Sequence, residues 1–160
     1  MGRTVISIFT IIVLMTCTGL AYANSTGFTI SGKITFSKTG TIYLLILDRD
    51  HFKDYEVLGK KGGETEKSTD GNTGIIIEVG DKEKEAGEIP FELKNIPTGT
   101  YAIRAFIDTN GNGKLDKGKF GPKEPWGNFK SIRPLMRSAT FDEMKFDVEN
   151  DINTIKFELK

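Results

Sequence analysis

The sequence predicts an all-β domain, a seven-stranded antiparallel β-sandwich with one long calcium-type loop between the fifth and sixth strands. Three observations lead there: apolar residues recur with a period of two in short segments, Gly, Pro, Asn and Asp bound those segments, and no stretch makes a convincing helix.

From Phe28 to Ser37 every even position is apolar or Gly and every odd one is polar, as in a strand with one buried face. Thr41–Leu47 (TIYLLIL) is almost continuously apolar, which suits a central strand covered on both faces. Lys38-Thr39-Gly40 between them reads as a tight hairpin turn. Further strands are expected at Gly74–Val79, Ile89–Leu93, Tyr101–Ile107, Met144–Val148 and Ile152–Leu159. If the seven run up and down, the loops after the first, third and fifth strands fall at one end. The charged run Asp81–Glu88 then sits beside the loop after the fifth strand, where it has the chance to lend a carboxylate.

Ahead of the strands, residues 1–23 carry one positive charge at Arg3, an apolar run from Val5 to about Met15, and Ala21-Tyr22-Ala23 in the small-x-small form of a signal peptidase site. Cleavage after Ala23 leaves residues 24–160 as a single exported domain, periplasmic or extracellular. The apolar run is too short and interrupted for a membrane span. Leu14-Met15-Thr16-Cys17 offers a lipid anchor at Cys17 as an alternative, with Thr16 where a lipoprotein signal wants a smaller residue.

The 160 residues hold 22 Lys+Arg against 22 Asp+Glu, so no net charge favours nucleic acid. One Cys and one His exclude a disulfide framework, a Cys-rich zinc site and two-histidine catalysis. Two connections are far longer than the usual four to six residues. The first, from Asp48 to Thr73, is polar and Lys/Gly-rich, with Tyr55–Leu58 as a candidate edge strand. His51 lies there between Asp50 and Asp54, but no second His, Cys or nucleophile elbow accompanies it, and a catalytic role is not assigned.

The second connection, from Asp108 to Thr140, begins Asp108-Thr109-Asn110-Gly111-Asn112-Gly113-Lys114-Leu115-Asp116, which matches an EF-hand-type calcium loop at seven positions. Calcium takes about six to eight hard oxygens, and side chains at alternate positions of such a loop converge on one ion. Asp108, Asn110, Asn112, the Lys114 carbonyl and Asp116 fill those roles. Gly113 permits the sharp turn and Leu115 anchors the loop to the core. The twelfth position is Lys119 where an EF-hand has a bidentate Glu, so the missing ligand is sought downstream, at Glu124. Three carboxylates diluted by Lys114, Lys117 and Lys119 imply weak, extracellular-type affinity, about 10⁻⁴ M. The competing reading is a metal-free cluster of turns, since Asp, Asn and Gly build turns on their own.

Phe91-Glu92-Leu93-Lys94-Asn95-Ile96-Pro97-Thr98-Gly99-Thr100-Tyr101 resembles the F-x-L-x-x-I-P-x-G-x-Y signature of transthyretin-like and carboxypeptidase-regulatory-like sandwiches. With Phe106–Asp116, Gly121–Phe129 and Phe141–Phe146 it is similar to the bacterial family called domain of unknown function 2141. The resemblance implies an exported, prealbumin-like sandwich of Greek-key type and supplies no reaction. The chain departs from the family pattern at Trp126-Gly127-Asn128-Phe129 and in the length of its first long loop.

The expected function is a non-enzymatic binding or scaffold domain in which calcium orders Asp108–Phe129, with Trp126 and Phe129 as contacts for a protein or glycan partner. The alternatives are a purely structural envelope module without metal, and a metal-assisted hydrolase using Asp108, Asp116 and Glu124, which lacks an evident general base.

Overall fold

The computed structural model describes residues 27–52, 73–119, 121–134 and 137–160. The signal segment, Cys17 and the candidate strand Tyr55–Leu58 lie outside the described residues. The elements are β1 (Phe28–Thr35), β2 (Gly40–Leu47), β3 (Thr73–Val79), α1 (Asp81–Ala86), β4 (Glu88–Ile96), β5 (Gly99–Asp108), β6 (Lys117–Gly118), β7 (Gly121–Pro122), β8 (Trp126–Asn128), α2 (Phe141–Met144), β9 (Phe146–Val148) and β10 (Ile152–Glu158). The fold is mainly β.

One sheet has the order β10-β1-β4 and the other β3-β2-β5-β8, with β9 also pairing β5 and β6-β7 forming a small hairpin. The two main sheets share one core. Ile30 and Ile34 of β1, Leu93 of β4 and Ile155 of β10 meet Ile42, Leu44 and Ile46 of β2 and Ile103 and Ile107 of β5, all essentially inaccessible. The period of two in β1 therefore places its even residues inward. In β2 the odd residues Leu45 and Leu47 are buried too, in a second cluster with Phe52, Ala102, Phe141 and Met144. That outer cover explains why Thr41–Leu47 is apolar on both faces.

Four features differ from the sequence expectation. Lys38-Thr39-Gly40 is no hairpin: β1 and β2 belong to different sheets, so the turn crosses between them. Gly40 makes that crossing at φ +144, where a Cβ would lie 2.3 Å from the Asp108 carbonyl oxygen. Second, β1 pairs β10 in parallel, Ile34 opposite Phe157. Parity explains it: in an up-and-down order of β1, β2, β3, β4, β5, β9 and β10 the first and last point the same way, so when they become neighbours they must be parallel. Third, Asp81–Ala86 is helical, closed by Gly87 at φ 69 and by Glu83 Oε2 accepting the Gly80 N–H at 3.0 Å. It buries no residue, so no apolar stripe announced it. Fourth, the expected strand Met144–Val148 divides into α2, where Met144 is buried, and β9.

Strand β8 links the two sheets. It pairs β5 with Trp126 opposite Phe106, and its Trp126 N–H donates to the Lys160 carbonyl at 3.0 Å while the Lys160 N–H donates back at 3.2 Å. The up-and-down order also sets the ends of the molecule. Lys38 after β1, Lys84 in α1 and Thr109 after β5 border one shared hollow, as the loop count anticipated.

Candidate functional site

The loop after β5 starts from Asp108, the last residue of a core strand and only 2% exposed. A carboxylate so buried needs partners. Its Oδ1 accepts the N–H groups of Asn110 (3.2 Å), Gly111 (2.7 Å) and Asn112 (3.2 Å), and its Oδ2 accepts that of Gly113 (2.6 Å). The loop thus wraps its own backbone donors around one anion, a nest of amide dipoles. Gly111 at φ 75 and Gly113 at φ 72 adopt the left-handed turns this wrapping requires. Leu115, 6% exposed, pins the far side of the loop to the interior.

Two further bonds extend the pattern: Asn110 Oδ1 accepts the Asn112 N–H at 3.0 Å, and Asn112 Oδ1 accepts the Lys114 N–H at 2.8 Å. The side-chain nitrogens of Asn110 and Asn112 donate to the two oxygens of Asp116, at 2.7 and 3.1 Å. Glu124, 5% exposed, folds back from fifteen residues downstream of Thr109. Its Oε1 accepts the Thr109 N–H (2.8 Å) and hydroxyl (3.1 Å), and its Oε2 accepts the Asp116 N–H (3.1 Å). Asp116 in turn accepts the Lys123 N–H on its carbonyl at 2.8 Å.

The sequence-derived set of Asp108, Asn110, Asn112, Lys114, Asp116 and Glu124 is therefore brought together in one loop. Its contacts are hydrogen bonds, and the Asn amides turn nitrogen, not oxygen, toward Asp116. Among the described residues, no three His, Cys, Asp or Glu side chains gather closely enough to hold a metal ion. Within Asp81–Glu88, Glu83 caps its own helix and Glu88 pairs with Lys33. The buried Asp108 charge reaches Tyr43, which stacks on Phe106 at 5.0 Å. Burial first, then Asp108 and Glu78, push the Tyr43 phenol above its ordinary pKa.

His51 stands at the other end of β2, with Nδ1 2.7 Å from Asp48 Oδ1 and its N–H donating to the same oxygen at 2.9 Å.

Trp126 and Phe129 separate in role. Phe129 is half-buried and meets Phe146 edge-on at 5.2 Å against the main core. Trp126 is half-buried on β8, its ring covered on one side by the Arg133 guanidinium 4.8 Å away. It lines a cavity of about 660 Å³ with Arg104, Asn128, Arg133 and Arg137 among the walls. Sequence reasoning passed over this cavity. One signal was present: Arg104 interrupts the apolar run Tyr101–Ile107, and it proves to be 7% exposed, its guanidinium 3.9 Å from the Phe52 ring centre. The other basic residues are scattered between Lys117 and Arg137 and form no motif.

The fold and site define an all-β protein with a carboxylate-centred loop at the end of one core strand. Residues 35–156 match the model of the family described as "Uncharacterized protein conserved in bacteria (DUF2141)", and the chain belongs to that family. Comparison with curated proteins gives no match. Comparison with solved structures gives none either.

Proposed function

We propose that this protein is an exported, non-enzymatic binding domain whose end loop, Asp108–Glu124, is rigidified by calcium. The observation that carries the reading is Glu124. It was sought as the ligand replacing the missing twelfth-position carboxylate, and it bonds to both ends of the loop, at Thr109 and Asp116. Three carboxylates, two amide oxygens and the Lys114 carbonyl make a hard-oxygen set suited to calcium. Binding requires the three carboxylates to draw closer together than they stand here, and the Asn110 and Asn112 amides to turn so that their oxygens face the ion in place of the nitrogens now facing Asp116. The domain is read as residues 24–160, with β1 to β5, β9 and β10 forming a transthyretin-like Greek-key sandwich. Export and cleavage after Ala23 belong to the same reading, and a millimolar extracellular calcium level fills a site of about 10⁻⁴ M. Among the described residues no helix is long and apolar enough to cross a membrane. Trp126, on β8 just beyond the loop, is the contact residue for a protein or glycan partner.

Calorimetric titration of calcium into the purified protein tests this. Saturable binding near 10⁻⁴ M, abolished by Asp116→Ala, is expected. A second reading, the purely structural module, is favoured by one observation: Asp108 and Glu124 already have N–H partners without an ion. It predicts no binding heat up to several millimolar, about tenfold or more above the expected Kd.

A further inference from the structure

We infer that the cavity beside Trp126 binds a neutral sugar ring, held by packing on the indole and by a hydrogen bond to Asn128. Its volume of about 660 Å³ is that of a small-molecule site. Asn128, on β8, lines it at 3% exposure, and its buried Oδ1 has no hydrogen-bond partner among the described residues. A buried side-chain oxygen is normally satisfied, and one left unpaired lowers stability. Leu would fill nearly the same volume as Asn128 without that cost. The amide at this place points to a ligand that supplies the missing donor, a hydroxyl directed at Oδ1.

The arginines of the lining are already engaged. Arg104 stands 3.9 Å from the Phe52 ring centre and donates from Nη2 to Met144 Sδ at 3.6 Å. Arg137 forms a bidentate pair with Glu143, at 2.8 and 2.6 Å. Arg133 lies over the Trp126 ring at 4.8 Å while its Nη2 donates to the Trp126 carbonyl at 3.2 Å, and these two contacts hold Trp126 in place. Recognition is therefore assigned to neutral contacts, a flat apolar wall at Trp126 and an acceptor at Asn128. A sugar matches both, with hydroxyl donors around its edge and C–H groups on the faces that pack on an indole. In a sugar the donor and the apolar face belong to one rigid ring, so both contacts form without the ordering cost that a flexible peptide carries. Ile132 and Pro134 extend the apolar surface, and Ser138 adds a hydroxyl to the wall.

This inference deepens the binding-domain reading and rests on it where Trp126 serves as the contact residue; it does not depend on calcium. Trp126 is the sole tryptophan of the chain, so its emission reports the cavity. The purified protein is titrated in EDTA with glucose, galactose, mannose and N-acetylglucosamine, using sorbitol as an open-chain polyol and N-acetylglycine amide as a source of peptide N–H groups. Saturable change in Trp126 emission is expected with at least one sugar, at a midpoint of about 10⁻³ M, and at least about tenfold weaker response to sorbitol and to the peptide probe. Calorimetry then reads two variants. Asn128→Leu should bind that sugar at least about tenfold more weakly while melting no lower than the parent, because it removes an unsatisfied buried acceptor. Trp126→Ala should weaken binding by a similar factor. No saturation by any sugar, equal response to sorbitol, or unchanged binding in Asn128→Leu overturns the inference, and so does a lower melting temperature of Asn128→Leu, which would make Asn128 a structural residue. Saturation by the peptide probe alone overturns the sugar and leaves Trp126 as a protein contact. Sugar binding in EDTA without calcium heat supports the cavity and removes the calcium loop; calcium heat without sugar binding does the reverse.

Discussion

Glu124 is the residue through which the long connection closes on itself, and its removal has a calculable consequence. Glu124→Ala deletes the acceptor for the Thr109 N–H and hydroxyl and for the Asp116 N–H. Hydrogen bonds to a charged acceptor contribute about 1.5–3 kcal/mol each, and stranded donors carry their desolvation cost. These bonds are only part-buried, so water recovers some of the loss, and a net destabilisation of about 2–4 kcal/mol is expected. Glu124→Gln keeps one acceptor oxygen for Thr109 but sets an amide N–H₂ against the Asp116 N–H, for a loss of about 1–2 kcal/mol. Urea unfolding in EDTA reads both, so that calcium plays no part. With an m value of about 1.5 kcal/mol/M, the alanine variant should lose roughly 1.5–2.5 M in midpoint, about twice the loss of the glutamine variant. An alanine variant within about 0.5 kcal/mol of the parent, the range of an ordinary surface change, would refute the loop-bracing role.

Other elements give sharper local expectations. Glu143 is held down to about 2 from the ordinary 4.5, first by the Arg137 side chain and then by the Thr140 N–H. Because its folded value is depressed, its contribution is present above about pH 4.5 and is lost as pH falls toward 2. Carboxyl resonances followed by NMR should show that low midpoint, and Arg137→Ala should raise it. Gly127→Ala places a Cβ 2.2 Å from the Glu158 carbonyl oxygen, a backbone atom that cannot swing aside. It should cost about 1–3 kcal/mol and shift Trp126 emission, as β8 parts from the C-terminal strand; unchanged melting and emission would contradict the role of β8 as the link between sheets.

Much of the fold was legible because strand period and burial obey the same geometry. Phe28–Ser37 alternates since one face meets the core, and Thr41–Leu47 does not since Phe141 and Met144 cover its other face. Gly113 was readable from the turn it permits, and Glu124 from the carboxylate the loop lacked. What escaped was non-local or too short to have a period. The turn at Lys38–Gly40 looks the same in sequence whether it joins strands of one sheet or crosses to another. The helix Asp81–Ala86 has no buried face, and β6, β7 and β8 are two or three residues long. The amide orientation of Asn110 and Asn112 is decided by which partner Asp116 finds, a matter no spacing records. The cavity is assembled from β5, β8 and the segments around Lys117 and Arg133, so only the charge of Arg104 within an apolar run marked it.

The central claim is that calcium binds and rigidifies the Asp108–Glu124 loop. Its most direct test is thermal unfolding of the purified protein in EDTA and in rising calcium, beside Asn110→Ala,Asn112→Ala, whose exposed side chains leave the core untouched. At 1 mM calcium and a Kd of about 10⁻⁴ M, native-state binding should stabilise by about 1.4 kcal/mol, a rise of roughly 3–6 °C that the double variant lacks. The same melting temperature in EDTA and in several millimolar calcium would contradict the account and leave the loop as a hydrogen-bonded brace around Asp108 and Glu124.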